Sequence, residues 1–114
     1  MKYDNILEVL HRHLSENKLT ENCKRRPYFR FVIGKEELEA SIQASEYHYC
    51  TPRDNHTDFY EEVELGFPNF LFSENFIARY AEDVKTPKDT VYPYVPLKEL
   101  AKQLWVLGFM RGDE

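Results

Sequence analysis

The chain has 114 residues, of which 42% are hydrophobic and 15% aromatic, and its formal net charge is −5. That length holds one domain and allows independent folding without a framework of disulfides. The charge is uneven, at +3 over residues 1–34, −9 over 35–83 and +1 over 84–114, and the acidic middle would repel phosphate, which argues against a nucleic-acid groove there.

Residues 4–16 read as a helix. Ile6, Leu7, Leu10 and Leu14 recur at helical spacing, Asp4 is placed to cap, and Glu8, Arg12 and Glu16 fall on the wet side. This charged, amphipathic start lacks the apolar run of a signal peptide, and no stretch approaches a membrane span of ~20 apolar residues. The polar run "ENKLTENCKRR" follows the helix. "PYFRFVIG" then predicts a strand, with Phe29, Phe31 and Ile33 on one face and Tyr28, Arg30 and Val32 on the other.

After a turn at "GKEE", residues 38–50 alternate. Leu38, Ala40, Ile42 and Ala44 point to the core, while Glu39, Ser41, Gln43 and Ser45 point to water. "TPRDNHTD" reads as a hairpin loop. Residues 59–67 are expected to return as a third strand, with Phe59, Val63, Leu65 and Phe67 inward and Tyr60, Glu62 and Glu64 outward.

A short helix capped by Ser73 is predicted to run to about Ala81, on the spacing of Phe72, Phe76, Ile77 and Tyr80. Three prolines in "EDVKTPKDTVYPYVP" forbid a central strand, but "VYPYV" suits a short edge strand. Pro96 opens a last helix, with Leu97, Leu100, Ala101, Leu104 and Leu107 inward, and Gly108 ends it. The order α-β-β-β-α-(β)-α predicts a single α+β domain over 1–114. Its sheet is an antiparallel meander of three to four strands, with helices on one face.

Chemistry-bearing residues concentrate in "ASEYHYCTPRDNHTDFYEEVELGFP". His48 and Cys50, two apart on the expected strand, would share a face, and His56 and Asp58 could approach them as zinc ligands. Their spacing matches no zinc signature, so no metal is expected. Cys50 as a nucleophile would need His48 or His56 as base, or Arg53 to lower its pKa. No Gly-rich turn or strand-to-helix elbow supplies an oxyanion hole, so no catalytic residue is assigned. Glu61, Glu62 and Glu64 read as a solvated strand face that deters edge pairing. Cys23 and Cys50 fit reduced thiols, with a bridge left open.

Binding is the stronger reading. Lys24, Arg25 and Arg26, with Arg30 nearby, mix guanidinium with aromatic rings in "RRPYFR", a pairing that suits an anionic ligand carrying a base or an acidic protein face. Tyr47 and Tyr49 depart from the small polar residues before them, and Tyr92 and Tyr94 sit in a Pro-rich segment. Beside Arg53, such tyrosines add contact area at small entropic cost. The expected binding residues are Tyr47, Tyr49, Arg53, Tyr92, Tyr94 and Arg26.

"ASEYHYCTPRDN…YEEVELGFP", with the later "YAED…TPKDTVYPYVP", resembles phrases in short uncharacterised proteins of tailed phages, over residues 44–96. The resemblance names no activity. It implies a context in which small acidic proteins act by binding a host protein or a signalling nucleotide of a defence system.

The expected function is therefore a non-catalytic, phage-derived binding protein that blocks or sequesters a host factor in the cytoplasm. Its partner would be a host protein or a small anionic nucleotide, with no cofactor, no duplex nucleic acid and no membrane, and with self-association into a homo-oligomer left open. The alternatives are a small metal- or thiol-dependent hydrolase using His48, Cys50 and His56, or a minor structural protein of a virion or complex.

Overall fold

The computed structural model describes residues 2–20, 25–55, 57 and 59–108. Among them lie helix α1 (Lys2–Glu16), strands β1 (Phe29–Ile33), β2 (Glu36–Gln43) and β3 (Glu62–Gly66), helix α2 (Glu74–Tyr80), strand β4 (Val91–Pro96) and helix α3 (Leu97–Leu107). The strands form one antiparallel sheet in the order β1-β2-β3-β4. This is the α+β order expected from the sequence, with the Pro-rich "VYPYV" realised as the edge strand β4.

Alternation explains which sheet face is dry. Phe29, Phe31, Leu38, Ala40, Ile42, Val63 and Leu65 are all buried. Against them pack Ile6, Leu10 and Leu14 of α1 and Leu97, Leu100, Ala101 and Leu104 of α3, the stripes that the helical spacing picks out. Asp4 lies within the first turn of α1 rather than before it, where its carboxylate still favours the helix dipole. Ser73 caps α2 by accepting the Phe76 amide at 3.3 Å. Gly108 closes α3 at φ 109, in the left-handed region that glycine adopts freely.

The aromatic surplus goes into the core. Phe31, Phe70, Phe72, Phe76 and Tyr92 form a run of ring contacts with centroid separations of 4.5–6.0 Å. Edge-to-face and tilted pairs of this kind add to area burial.

Several expectations are corrected. β2 ends at Gln43, and residues 44–50 bend back instead of continuing the strand. Ser41, Gln43 and Ser45 are buried: the chain's own 25–26 segment covers Ser41 and Gln43, and Ser45 is held by Tyr47, His48 and Cys50 of the bend that follows it. Gln43 Oε1 accepts the Arg26 amide at 2.8 Å, and Gln43 Nε2 donates to the Arg26 carbonyl at 2.9 Å. A polar side chain paired this way is buried at little cost.

β3 begins only at Glu62, which frees the residues before it from strand parity. Phe59 points out and Tyr60 points in, the reverse of the expected arrangement, with the Tyr60 hydroxyl donating to the Asp54 carbonyl. Glu62 is half-buried, and its Oε1 accepts the Thr51 hydroxyl at 2.6 Å. Phe67 is exposed at φ 48, just past the strand end.

The last correction lies in β4. Val63 pairs with Val95 and Leu65 with Tyr92, so Glu64 alone faces two residues of β4, Pro93 and Tyr94. This bulge puts Tyr92 and Val95 both on the dry face and turns Tyr94, at φ 53, to the outside.

Candidate functional site: a tyrosine–arginine patch

The 44–55 segment does not hang free. Asn55 Oδ1 accepts the Glu46 amide at 2.9 Å, and Thr51 exchanges backbone bonds with Glu61 and Glu62 at 2.8–3.3 Å. Two further bonds fix Tyr49. Its amide donates to Glu64 Oε2 at 3.0 Å, and its carbonyl accepts the amide of Tyr94 at 3.1 Å. A loop closed on itself by Glu46 and Asn55, and tied at Tyr49 and Thr51 to β3, the residue before it and the β4 bulge, presents side chains from a fixed backbone.

Three of the expected binding residues meet there. The Tyr49 and Tyr94 rings lie 5.8 Å apart at 41°, and the Arg53 guanidinium carbon lies 5.9 Å from the Tyr49 ring centre. Tyr47, Tyr49 and Tyr94 are 66%, 47% and 42% exposed, so each offers ring area to a partner. Arg53 is exposed and makes no ion pair among the described residues. Its fork is therefore available to a carboxylate or phosphate. Tyr47 lies on the same loop, and its hydroxyl is pushed up in pKa by its hydrogen bond to Glu46.

The other two expected residues are excluded from the surface. Tyr92 is fully buried, and its hydroxyl donates to the Pro87 carbonyl at 2.7 Å. Arg26 is 5% exposed, with Nε donating to the Leu14 carbonyl at 3.2 Å and Nη1 to the Ala44 carbonyl at 2.5 Å. Neither can contact a partner. Glu62 and Glu64, read from the sequence as solvation alone, hold the loop. The signal that would have exposed their role is the unpaired amide of each loop residue, which needs an acceptor somewhere.

His48 and Cys50 do converge, though on a bend and not on a strand face. Both address Ser45: Ser45 Oγ lies 2.6 Å from His48 Nδ1, and the Cys50 thiol donates to the Ser45 carbonyl at 3.1 Å. Burial pushes the Cys50 thiol up and the His48 imidazole down from their ordinary values. A thiol so placed stays protonated, which is the opposite of what nucleophilic attack requires. Among the described residues no group of three or more His, Cys, Asp or Glu side chains is placed to hold a metal. His56, Asp58, Cys23 and Lys24 lie outside the described residues. Among the described residues, too, no helix is long and apolar enough to cross a membrane.

Comparison of the chain with protein-family models, curated proteins and solved structures finds no match. The functional reading therefore rests on the site itself.

Proposed function

We propose that this chain is a non-catalytic binding protein whose contact surface is Tyr47, Tyr49, Tyr94 and Arg53, and that its partner is another protein presenting a carboxylate to Arg53. One observation carries the reading: the exposed rings of Tyr49 on the loop and Tyr94 at the β4 bulge meet an arginine that makes no ion pair among the described residues, on a backbone that hydrogen bonds fix. Tyrosine and arginine are enriched at interfaces, where rigid rings supply area and the guanidinium supplies direction. A protein is favoured over a nucleotide because the rings stand too open to enclose a small ligand, which ordinarily buries most of its surface. The phage context implied by the wording of residues 44–96 makes the partner a host factor that the domain blocks or sequesters.

The test is capture of the partner on immobilised protein, followed by calorimetry with the purified partner. Arg53→Ala should weaken binding by about 1.5 kcal/mol or more, the lower range for a lost charged hydrogen bond. Its melting temperature should stay unchanged, and the salt dependence of binding should fall with the charge. An Arg53→Ala variant that binds as tightly as the wild type would remove the reading. So would a partner competed off by a free nucleotide.

A further inference from the structure

A second feature lies where α1, the residues just before β3 and the start of α3 meet. They border an open cleft of about 560 Å³, a size that small-molecule sites occupy. Leu7, His11, Phe59, Glu61, Leu97 and Lys98 contribute to its walls.

Three of these side chains hold a capacity that the fold leaves unused. Phe59 stacks on His11, with centroids 4.2 Å apart and planes at 23°, yet remains 64% exposed. Its open ring area would favour a flat apolar cover. Among the described residues His11 Nδ1 is buried with no hydrogen-bond partner, an arrangement that native structures rarely leave unexplained. The Glu61 carboxylate is exposed and makes no ion pair among the described residues, while its backbone is fixed by the Leu97 amide, which donates to the Glu61 carbonyl at 2.8 Å.

The charges around the cleft point to one sign of ligand. Among the described residues that line it, Glu61 and Glu62 bring two carboxylates and Lys98 one ammonium. His11 adds no positive charge near neutral pH, because burial lowers its pKa. A cation is attracted to such a rim, and a cation beside the Phe59 ring gains further from the ring's quadrupole.

We propose that this cleft binds a small aromatic amine, its ring laid on the open area of Phe59 and its ammonium on Glu61. The site is separate from the tyrosine–arginine patch and does not depend on it.

Nuclear magnetic resonance on the labelled full chain tests this, with tryptamine as the probe and indole-3-acetate as its anionic counterpart. Tryptamine should shift the Glu61, Leu97 and Lys98 amides and the His11 ring signals saturably, at concentrations up to about millimolar. Glu61→Gln should weaken it about fivefold or more, as expected for a lost charge-assisted bond, and Phe59→Ala should weaken it further. Arg53→Ala should leave it unchanged, which separates this cleft from the patch. Absence of saturable shifts in the wild type would overturn the proposal without need of any variant. Equal binding of indole-3-acetate, or shifts confined to Tyr47, Tyr49 and Tyr94, would overturn it as well.

Discussion

Arg26 and Arg53 carry the same side chain to opposite ends. Arg53 follows Pro52 in a turn whose neighbours are polar, and its guanidinium ends in solvent over Tyr49. Arg26 belongs to a basic run, which in a sequence reads as a surface patch, yet its guanidinium is spent on two main-chain carbonyls from different parts of the chain. Burial lowers its pKa, and the Tyr60 ring lies 5.9 Å from its guanidinium carbon. Arg26→Ala should therefore destabilise the domain by about 3 kcal/mol or more, since two charge-assisted bonds vanish and two buried carbonyls lose their donor. Denaturant titration reads this directly, and a loss below about 1 kcal/mol would show the two bonds to be replaceable by water.

Tyr92 makes the second residue-scale case. Burial alone pushes its hydroxyl up to about 12 from 10.0. The folded pKa lies above the unfolded one, so the protonated ring stabilises the fold fully below about pH 10, and that stability is lost as pH rises toward 12. A shift of this size corresponds to roughly 3 kcal/mol over the whole window. Tyr92→Phe should flatten the alkaline fall in stability, at a cost near 1 kcal/mol for the lost bond to Pro87. Chemical denaturation at pH 8 and pH 10.5 on both proteins measures the difference.

At the scale of elements, the bulge in β4 decides which tyrosine serves the core and which the surface. Strand parity assigns Tyr92 and Tyr94 to one face, and the extra residue breaks that parity. Tyr94 holds φ 53, a backbone region that costs a side-chain-bearing residue roughly 1–2 kcal/mol. Glycine there would relieve the strain and lose the ring contact with Tyr49, two changes of similar size and opposite sign. Tyr94→Gly is thus expected to keep its melting temperature within a few degrees while partner binding falls. A large loss of stability would mean that the ring braces the loop rather than meeting a partner.

The same element shows how far local pattern reaches. The helices, the Ser73 and Gly108 caps and the inward faces of β1 and β2 follow from local pattern, because an amphipathic period states which side needs a cover. Ser41 and Gln43 defeat that reading. Their alternation is that of a wet face, but residues 25–26 fold over it, and such long-range cover leaves no trace in a neighbouring residue. Tyr49, Arg53 and Tyr94 were legible as exposed residues because proline and polar neighbours keep them out of the core. The burial of Tyr92 and Arg26 was not legible, since a bulge and two distant carbonyls decide their fate.

Over the whole molecule, three imidazoles share one response to acid. His11, His13 and His48 all have pKa values lowered mainly by burial, and His13 Nε2–H also donates to the Ile42 carbonyl at 3.2 Å, tying α1 to β2. Their folded pKa values lie below the unfolded value near 6.5, so the unfolded chain takes up protons first as pH falls. The contribution is present above pH 6.5 and is lost as the pH drops through the folded values. A second effect runs the other way. The chain carries −5 at pH 7 and approaches neutrality near its isoelectric point of 5.4, and reduced self-repulsion on that path favours the compact state. The two effects differ in sign, so one measurement separates them. Urea denaturation at pH 7.5 and 5.5, at low protein concentration, should give a lower midpoint at the acidic pH with an unchanged slope. His13→Gln should reduce that difference, because it removes one of the groups that titrates while its amide can still donate to Ile42. A midpoint that rises on acidification would assign the pH response to net charge and leave the buried imidazoles without a role in it.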